Sequence, residues 1–196
     1  MAAREEPIRR LSDRVFIAMD PTVQAFAAEA RIYCAWAVSI EEGDQGAANA
    51  LRRIVALYQA ALRLPEPKVD GTQDDLPALV SREEREAVRV ACARLPLHYY
   101  SELFNPLPVP AKEEPTVGDL ADDIADIFDD VLEGLRCFDS DRVPDAVWEW
   151  AFGFQSHWGR HASRAIRTLH AYLAENCRER LDGVEQALHP AAALGS

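Results

Sequence analysis

Thr116-Val117-Gly118-Asp119-Leu120-Ala121-Asp122-Asp123-Ile124-Ala125-Asp126-Ile127-Phe128-Asp129-Asp130 decides the fold class. Thr116 and Asp119 are spaced as the two sides of a capping box, which predicts a helix opening here and running to about residue 138. Leu120, Ile124, Ile127, Phe128, Val131 and Leu135 recur at three- and four-residue steps and share one face. Asp119, Asp122, Asp123, Asp126 and Asp130 fall within roughly a third of the circumference on the other side. A helix that is half core and half carboxylate has to bury its apolar stripe against other elements.

Working outward, the same periodicity recurs. Ser81-Arg82-Glu83-Glu84 is a second capping box, opening a helix to about residue 95 that Pro96 closes. Asp20-Pro21 reads as an N-cap with proline at the first helical position. The helix it starts reaches about residue 40, with Phe26, Ala30, Tyr33, Ala37 and Ile40 on one face and Cys34 and Trp36 widening it; Gly43 and Gly46 end it. A further helix over residues 45–64 carries Leu51, Ile54, Val55, Tyr58 and Leu62 on one side, and the two form an antiparallel hairpin. Residues 65–77 and the stretch up to Pro115 are proline-rich loops, with a short helical turn around Tyr99-Tyr100-Ser101-Glu102 before the second; no strand is expected. Downstream, one long helix is predicted over residues 144–177, bent at Gly153 and Gly159. The expected architecture is all-α: a single-domain antiparallel helical bundle of about five main helices with two proline-rich loops. Residues 1–19 form an N-terminal arm, 20–177 the bundle and 178–196 a C-terminal tail.

Composition narrows the function classes. With 48% hydrophobic and 28% charged residues, the chain of 196 has the means to bury a core, and its twelve prolines act locally. Lys plus Arg is 21 against 33 Asp plus Glu, and the resulting charge of −12 repels duplex nucleic acid and anionic lipid. Cys34, Cys92, Cys137 and Cys177 form no Cys-x-x-Cys pair, which excludes zinc-ribbon and thioredoxin readings and leaves reduced thiols. Neither a secretory signal nor an apolar run long enough to span a membrane is present, so a cytoplasmic protein is expected.

Two segments carry chemistry. The carboxylate stripe is the ligand type that Mg²⁺ and Mn²⁺ require, although its plainer reading is a solvated face whose first acids favour the positive helix end. His157 and His161, four apart along an apolar stripe that includes Trp158, can chelate one metal or bond neighbouring carboxylates. Trp158, Gly159 and Arg160 between them exclude a His-Glu-x-x-His enzyme. A metal site would draw on Asp122, Asp126, His157 and His161. Arg160, Arg164 and Arg167 form a basic stripe that either locks onto the aspartate face or receives a phosphate or acidic partner. The candidate functional surface comprises Asp119, Asp122, Asp123, Asp126, Glu149, Trp150, His157, Trp158, His161 and Arg164.

The chain resembles the bacterial DUF5063 family. The resemblance rests on Tyr33-Cys34-x-Trp36, Leu62-x-Leu64-Pro65, Tyr100-x-x-Leu103-Phe104-Asn105-Pro106, the run from Gly118 to Phe128, Glu149-Trp150, His157-Trp158-Gly159-x-His161 and Leu169-His170. It implies a compact helical bacterial domain with the acidic helix and the Trp-Gly helix as signature elements.

With no complete catalytic constellation, the leading expectation is a non-enzymatic interaction or regulatory module with a protein partner and no cofactor. The alternative is a metal-dependent phosphohydrolase-like enzyme in which Asp119, Asp122, Asp123 and Asp126 hold Mg²⁺ or Mn²⁺, aided by His157 and His161. A third reading is an acidic decoy or immunity-type protein that covers a basic partner. Convergence of the carboxylates and histidines on one cleft discriminates the first two.

Overall fold

Among the described residues, apolar periodicity produces six helices in the order α1 (Pro21–Ala37), α2 (Gly43–Ala61), α3 (Arg82–Cys92), α4 (Leu120–Asp139), α5 (Val143–Ser156) and α6 (Trp158–Leu188). A two-stranded hairpin, β1 (Tyr99–Glu102) with β2 (Thr116–Asp119), lies between α3 and α4. The computed structural model describes residues 20–67, 77–103, 106–107 and 114–188, with side chains through residue 176. The expected N-terminal arm and most of the two proline loops lie outside these residues. Helical backbone continues to Leu188, beyond the expected boundary at 177.

Helix α4 is the centre of the bundle, packed against α1, α3, α5 and α6, while α2 covers α1 and α6. Its predicted apolar stripe is buried in full: Leu120, Ile124, Ile127, Phe128, Val131 and Leu135 all belong to the core. Local signals set the helix starts. Asp20 accepts from the Thr22 amide at 2.8 Å with Pro21 in the first turn. Ser81 and Glu84 close a reciprocal box, Ser81 N–H to Glu84 Oε2 at 2.9 Å and Glu84 N–H to Ser81 Oγ at 3.2 Å. Such caps contribute about 1 kcal/mol each.

Five expectations are corrected. The helical turn at Tyr99 is strand, antiparallel to residues 116–119 in the register Tyr99↔Asp119 and Tyr100↔Gly118. The supposed capping box at Thr116 is therefore strand too, and Asp119 alone caps α4, accepting from the Ala121 amide at 2.8 Å. In α2 the buried stripe runs through Ala47, Ala50, Ile54, Leu57 and Ala61, whereas Val55 and Leu62 are exposed. Gly43 does not end the first helix; it opens α2 with φ +66°, a conformation that suits a residue without Cβ.

The fifth correction bears on function. The long helix is two, broken at His157, whose backbone sits at φ −138°, ψ −85°. Tertiary packing forces the break. Trp158 turns back under α5 and donates from Nε1 to Trp150 O at 3.0 Å, and Trp150 donates to Val131 O at 3.1 Å. Both indoles are fully buried, so Trp150 and Trp158 are core rather than functional surface. Two glycines make room. A Cβ on Gly134 would stand 2.1 Å from Trp150 Nε1, and one on Gly159 would stand 2.1 Å from Phe154 O. Phe26 tilts against Trp150 with ring centroids 4.8 Å apart, tying α1 into the same aromatic core.

Cys92 and Cys137 are buried and Cys34 is half-buried, all as free thiols. Burial pushes Cys34 and Cys92 up to about 12, so these thiols are held protonated rather than reactive.

Candidate metal centre

Most carboxylates of the α4 stripe are engaged by neighbouring elements. On one flank α3 runs alongside, and its arginines meet them in register: Arg89 pairs with Asp122, and Arg85 reaches both Asp126, at 2.6 Å, and Asp129. The four-residue spacing of Arg85 and Arg89 matches that of Asp122 and Asp126, which is what two neighbouring helices require for a ladder. The ladder thus forms with α3 and not, as expected, with Arg160, Arg164 and Arg167 of α6. Arg164 instead pairs through Nε with Glu102 Oε2 at 2.7 Å, and Arg167 donates to Ser101 O at 3.1 Å.

On the other flank α4 faces the α5/α6 junction, and the two histidines meet aspartates there. His161 Nδ1 lies 2.8 Å from Asp123 Oδ1, and His157 Nδ1 lies 2.8 Å from Asp130 Oδ2. An ionised carboxylate only accepts, so each Nδ1 is the donor of its pair, and a neutral imidazole in that tautomer would offer Nε2 as a metal ligand. His161 Nε2 points at Asp126 Oδ2, 3.5 Å away. The other oxygen of Asp126 is taken by Arg85, which fixes the carboxylate with Oδ2 toward the histidines.

Asp123 is the buried anchor of this arrangement, its side chain 4% exposed. Its Oδ2 accepts from the Tyr100 hydroxyl while Oδ1 holds His161, so both oxygens are occupied. Tyr100 reaches it because its ring lies flat across Gly118; a Cβ there would be 2.3 Å from the ring. Burial, then the Asp123 hydrogen bond, push the Tyr100 phenol well above its ordinary range, so it remains a donor. Glu149 of α5 is half-buried, and desolvation followed by repulsion from Glu133, Asp130 and Asp145 raises its carboxyl pKa.

One ligand atom from each of Asp126, His157 and His161 lies within 4.8 Å of the other two. Ligands on a tetrahedral zinc with bonds of ~2.1 Å stand about 3.4 Å apart, so the trio has to draw in by up to roughly 1.4 Å. His157 can supply that movement: it sits at the helix junction with its side chain 46% exposed. Two imidazoles and a carboxylate suit Zn²⁺, Fe²⁺, Co²⁺ or Mn²⁺ and leave coordination positions open. Histidines bound through carboxylates at their second nitrogen are the usual supporting shell of such sites.

Of the expected metal ligands, Asp126, His157 and His161 come together, and Asp122 stands outside, engaged by Arg89. Asp119 serves its own helix. Sequence reasoning missed Tyr100, Arg85 and Arg89. The matched spacing on α3 and α4 was a usable signal for the arginines; for Tyr100 the strand register was needed.

The model of the domain of unknown function DUF5063 matches residues 18–175. Among solved structures, the chain is similar to protein BF1032 from Bacteroides fragilis, a structural-genomics crystal structure, with 23% identity and a TM-score of 0.63 over 79% of this chain and 93% of that one. That likeness concerns the fold. No curated protein matches the chain. Among the described residues no helix is long and apolar enough to cross a membrane.

Proposed function

We propose that this chain, which belongs to the DUF5063 family, is a metal-dependent protein that holds one divalent transition-metal ion on Asp126, His157 and His161. The observation that carries the reading is the pair of carboxylate-anchored histidines. Asp123 and Asp130 each bind an Nδ1, His161 Nε2 stands 3.5 Å from the Asp126 oxygen that Arg85 does not hold, and a ligand atom of His157 lies within 4.8 Å of both. This ligand set favours a borderline cation over Mg²⁺, since imidazole suits zinc and iron while magnesium selects oxygen and water. The all-carboxylate Mg²⁺ arrangement has less support, because Asp119 and Asp122 are committed elsewhere.

Three protein donors leave room for water and substrate on the ion. A divalent ion held there would supply Lewis acidity and an activated water, which makes a hydrolytic reaction the natural use of the site. Asp123 and Tyr100 would hold His161 in place, and Asp130 would do so for His157. The interaction-module and acidic-decoy readings drew on an available carboxylate face, and here that face is engaged by Arg85, Arg89, Tyr100 and both histidines.

Calorimetric unfolding of chelator-stripped protein tests the reading. An ion that binds only the folded state, at 100 times its dissociation constant, stabilises by ~2.7 kcal/mol. A rise in midpoint is expected with Zn²⁺ or Mn²⁺, a much smaller one with Mg²⁺, and none in His157→Ala, whose metal-free midpoint should match the parent. No shift with any of these ions would remove the metal and return the interaction module to first place.

A further inference from the structure

Helix α1 is apolar on every side. Its inner face carries Val23, Phe26, Ala30, Tyr33 and Trp36 into the core. Its outer face, Ala25, Ala28, Ile32 and Ala35, is exposed, and Val38 follows just past the helix end, 46% exposed. A helix of this composition is normally covered all round. Only two of its 17 residues are charged, Glu29 and Arg31, and Arg31 is turned onto Phe138 and Asp139 of its own chain. Helix α2 extends the surface with Val55, 42% exposed, and Leu62, 64% exposed.

A groove of about 350 Å³ runs between the two helices. Ala25 and Glu29 line it from the first half of α1, and Ala56, Ala60 and Arg63 from the last turns of α2 and the residues after it. The start of one helix thus faces the end of the other, and the pair runs antiparallel. In that arrangement Glu29 lies at one end of the groove on the α1 wall and Arg63 at the other end on the α2 wall. Among the described residues neither side chain makes a hydrogen bond or an ion pair.

We propose that this face docks a second copy of the chain, in a twofold dimer that pairs each Glu29 with the partner's Arg63. In a twofold contact the same patch serves both copies, so that if one residue meets another the converse contact forms as well. Opposite charges at opposite ends of one groove meet that condition: an axis across the middle of the groove forms both pairs at once. Two copies of charge −12 repel over most of their surface, and Glu29 is the only acid lining this groove, so here they approach at low electrostatic cost. Helices of 17 and 19 residues side by side, at ~1.5 Å per residue and about 10 Å across, give a footprint on the order of 500 Å². A standard interface uses roughly 800 Å² per partner, so the association is reversible rather than permanent. This contact is independent of the metal centre.

Sedimentation velocity of the full chain is the test, with a concentration-dependent step from monomer to dimer expected between about 5 and about 500 µM. Val55→Glu, at an exposed position, should keep the unfolding midpoint and weaken dimerisation at least about tenfold. Glu29→Arg and Arg63→Glu should each do the same, since each sets like charges against one another twice per dimer. The chain carrying both reversals should regain the parent's dimer. An equal mixture of the two single variants should do so too, because every pair is again one acid with one arginine. A monomer at every concentration would overturn the proposal and leave the face to a partner of another sequence. A dimer indifferent to the charge reversals, or single variants that do not restore one another on mixing, would overturn the twofold pairing.

Discussion

The two histidine–aspartate pairs have the same length and the same atoms, yet they sit in different surroundings. His161 and Asp123 are enclosed, with side chains 16% and 4% exposed, and Asp123 is further held by Tyr100. His157 and Asp130 lie toward solvent at a break between helices. An interaction surrounded by protein is costly to break, because the partner left behind is desolvated; the same interaction in water costs little. The inner pair therefore belongs to the fold as much as to the site, and the outer pair belongs mainly to the site.

Asp123→Ala should break this comparison most severely. It strands His161 and Tyr100 together, and a loss of about 3–5 kcal/mol in denaturant unfolding is expected. A loss below about 1 kcal/mol would mean that the inner pair is no more structural than the outer.

Tyr100→Phe removes a single donor to Asp123 and should cost about 1–3 kcal/mol at neutral pH. Its pH dependence sharpens the point. A phenol whose folded pKa lies above the unfolded value near 10 contributes stability that is fully present below pH 10 and fades as pH climbs toward the folded value. The difference between parent and Tyr100→Phe should accordingly shrink in alkaline solution; a constant gap across pH 8–11 would contradict the raised pKa. Tyr33, buried and also raised, is common to both proteins and cancels.

Asp130→Asn should have the smallest structural effect, under about 1 kcal/mol. Its effect on Zn²⁺ affinity should be roughly 10- to 100-fold, the usual cost of losing a carboxylate behind a ligating histidine. Competition with a chromogenic chelator measures this directly. Unchanged affinity would place the outer pair outside the metal's supporting shell.

Part of this architecture could be read in the sequence, and physical reasons divide it from the rest. Helix α4 was legible because Leu120, Ile124, Ile127 and Phe128 carry strong apolar signals at helical spacing. The buried face of α2 was not, since Ala47, Ala50 and Ala61 signal burial weakly and Val55 and Leu62 signal it falsely. The strands escaped because four residues are too few to display an alternation, and their pairing spans thirteen intervening positions from Glu102 to Thr116. The break at His157 arises from the packing of Trp158 under Trp150, a contact that no local pattern encodes. At the site the residue types were legible, with His157, His161 and Asp126 all singled out. Their partners were not, because Arg85, Arg89 and Tyr100 arrive through the packing of α3 and the register of β1 on β2.

His157 and His161 are four apart, as on one regular helix, yet His157 terminates α5 while His161 lies within α6. Any ion that joins them thereby clamps a joint between two rods. Occupancy of the centre would then be legible far from the ion, as slowed amide exchange around Gly153 and Arg160, where the backbone bonds of the joint run from His157 N–H to Gly153 O and from Arg160 N–H to His157 O. A bound ion would thus stiffen the junction between the two helices as well as complete the site.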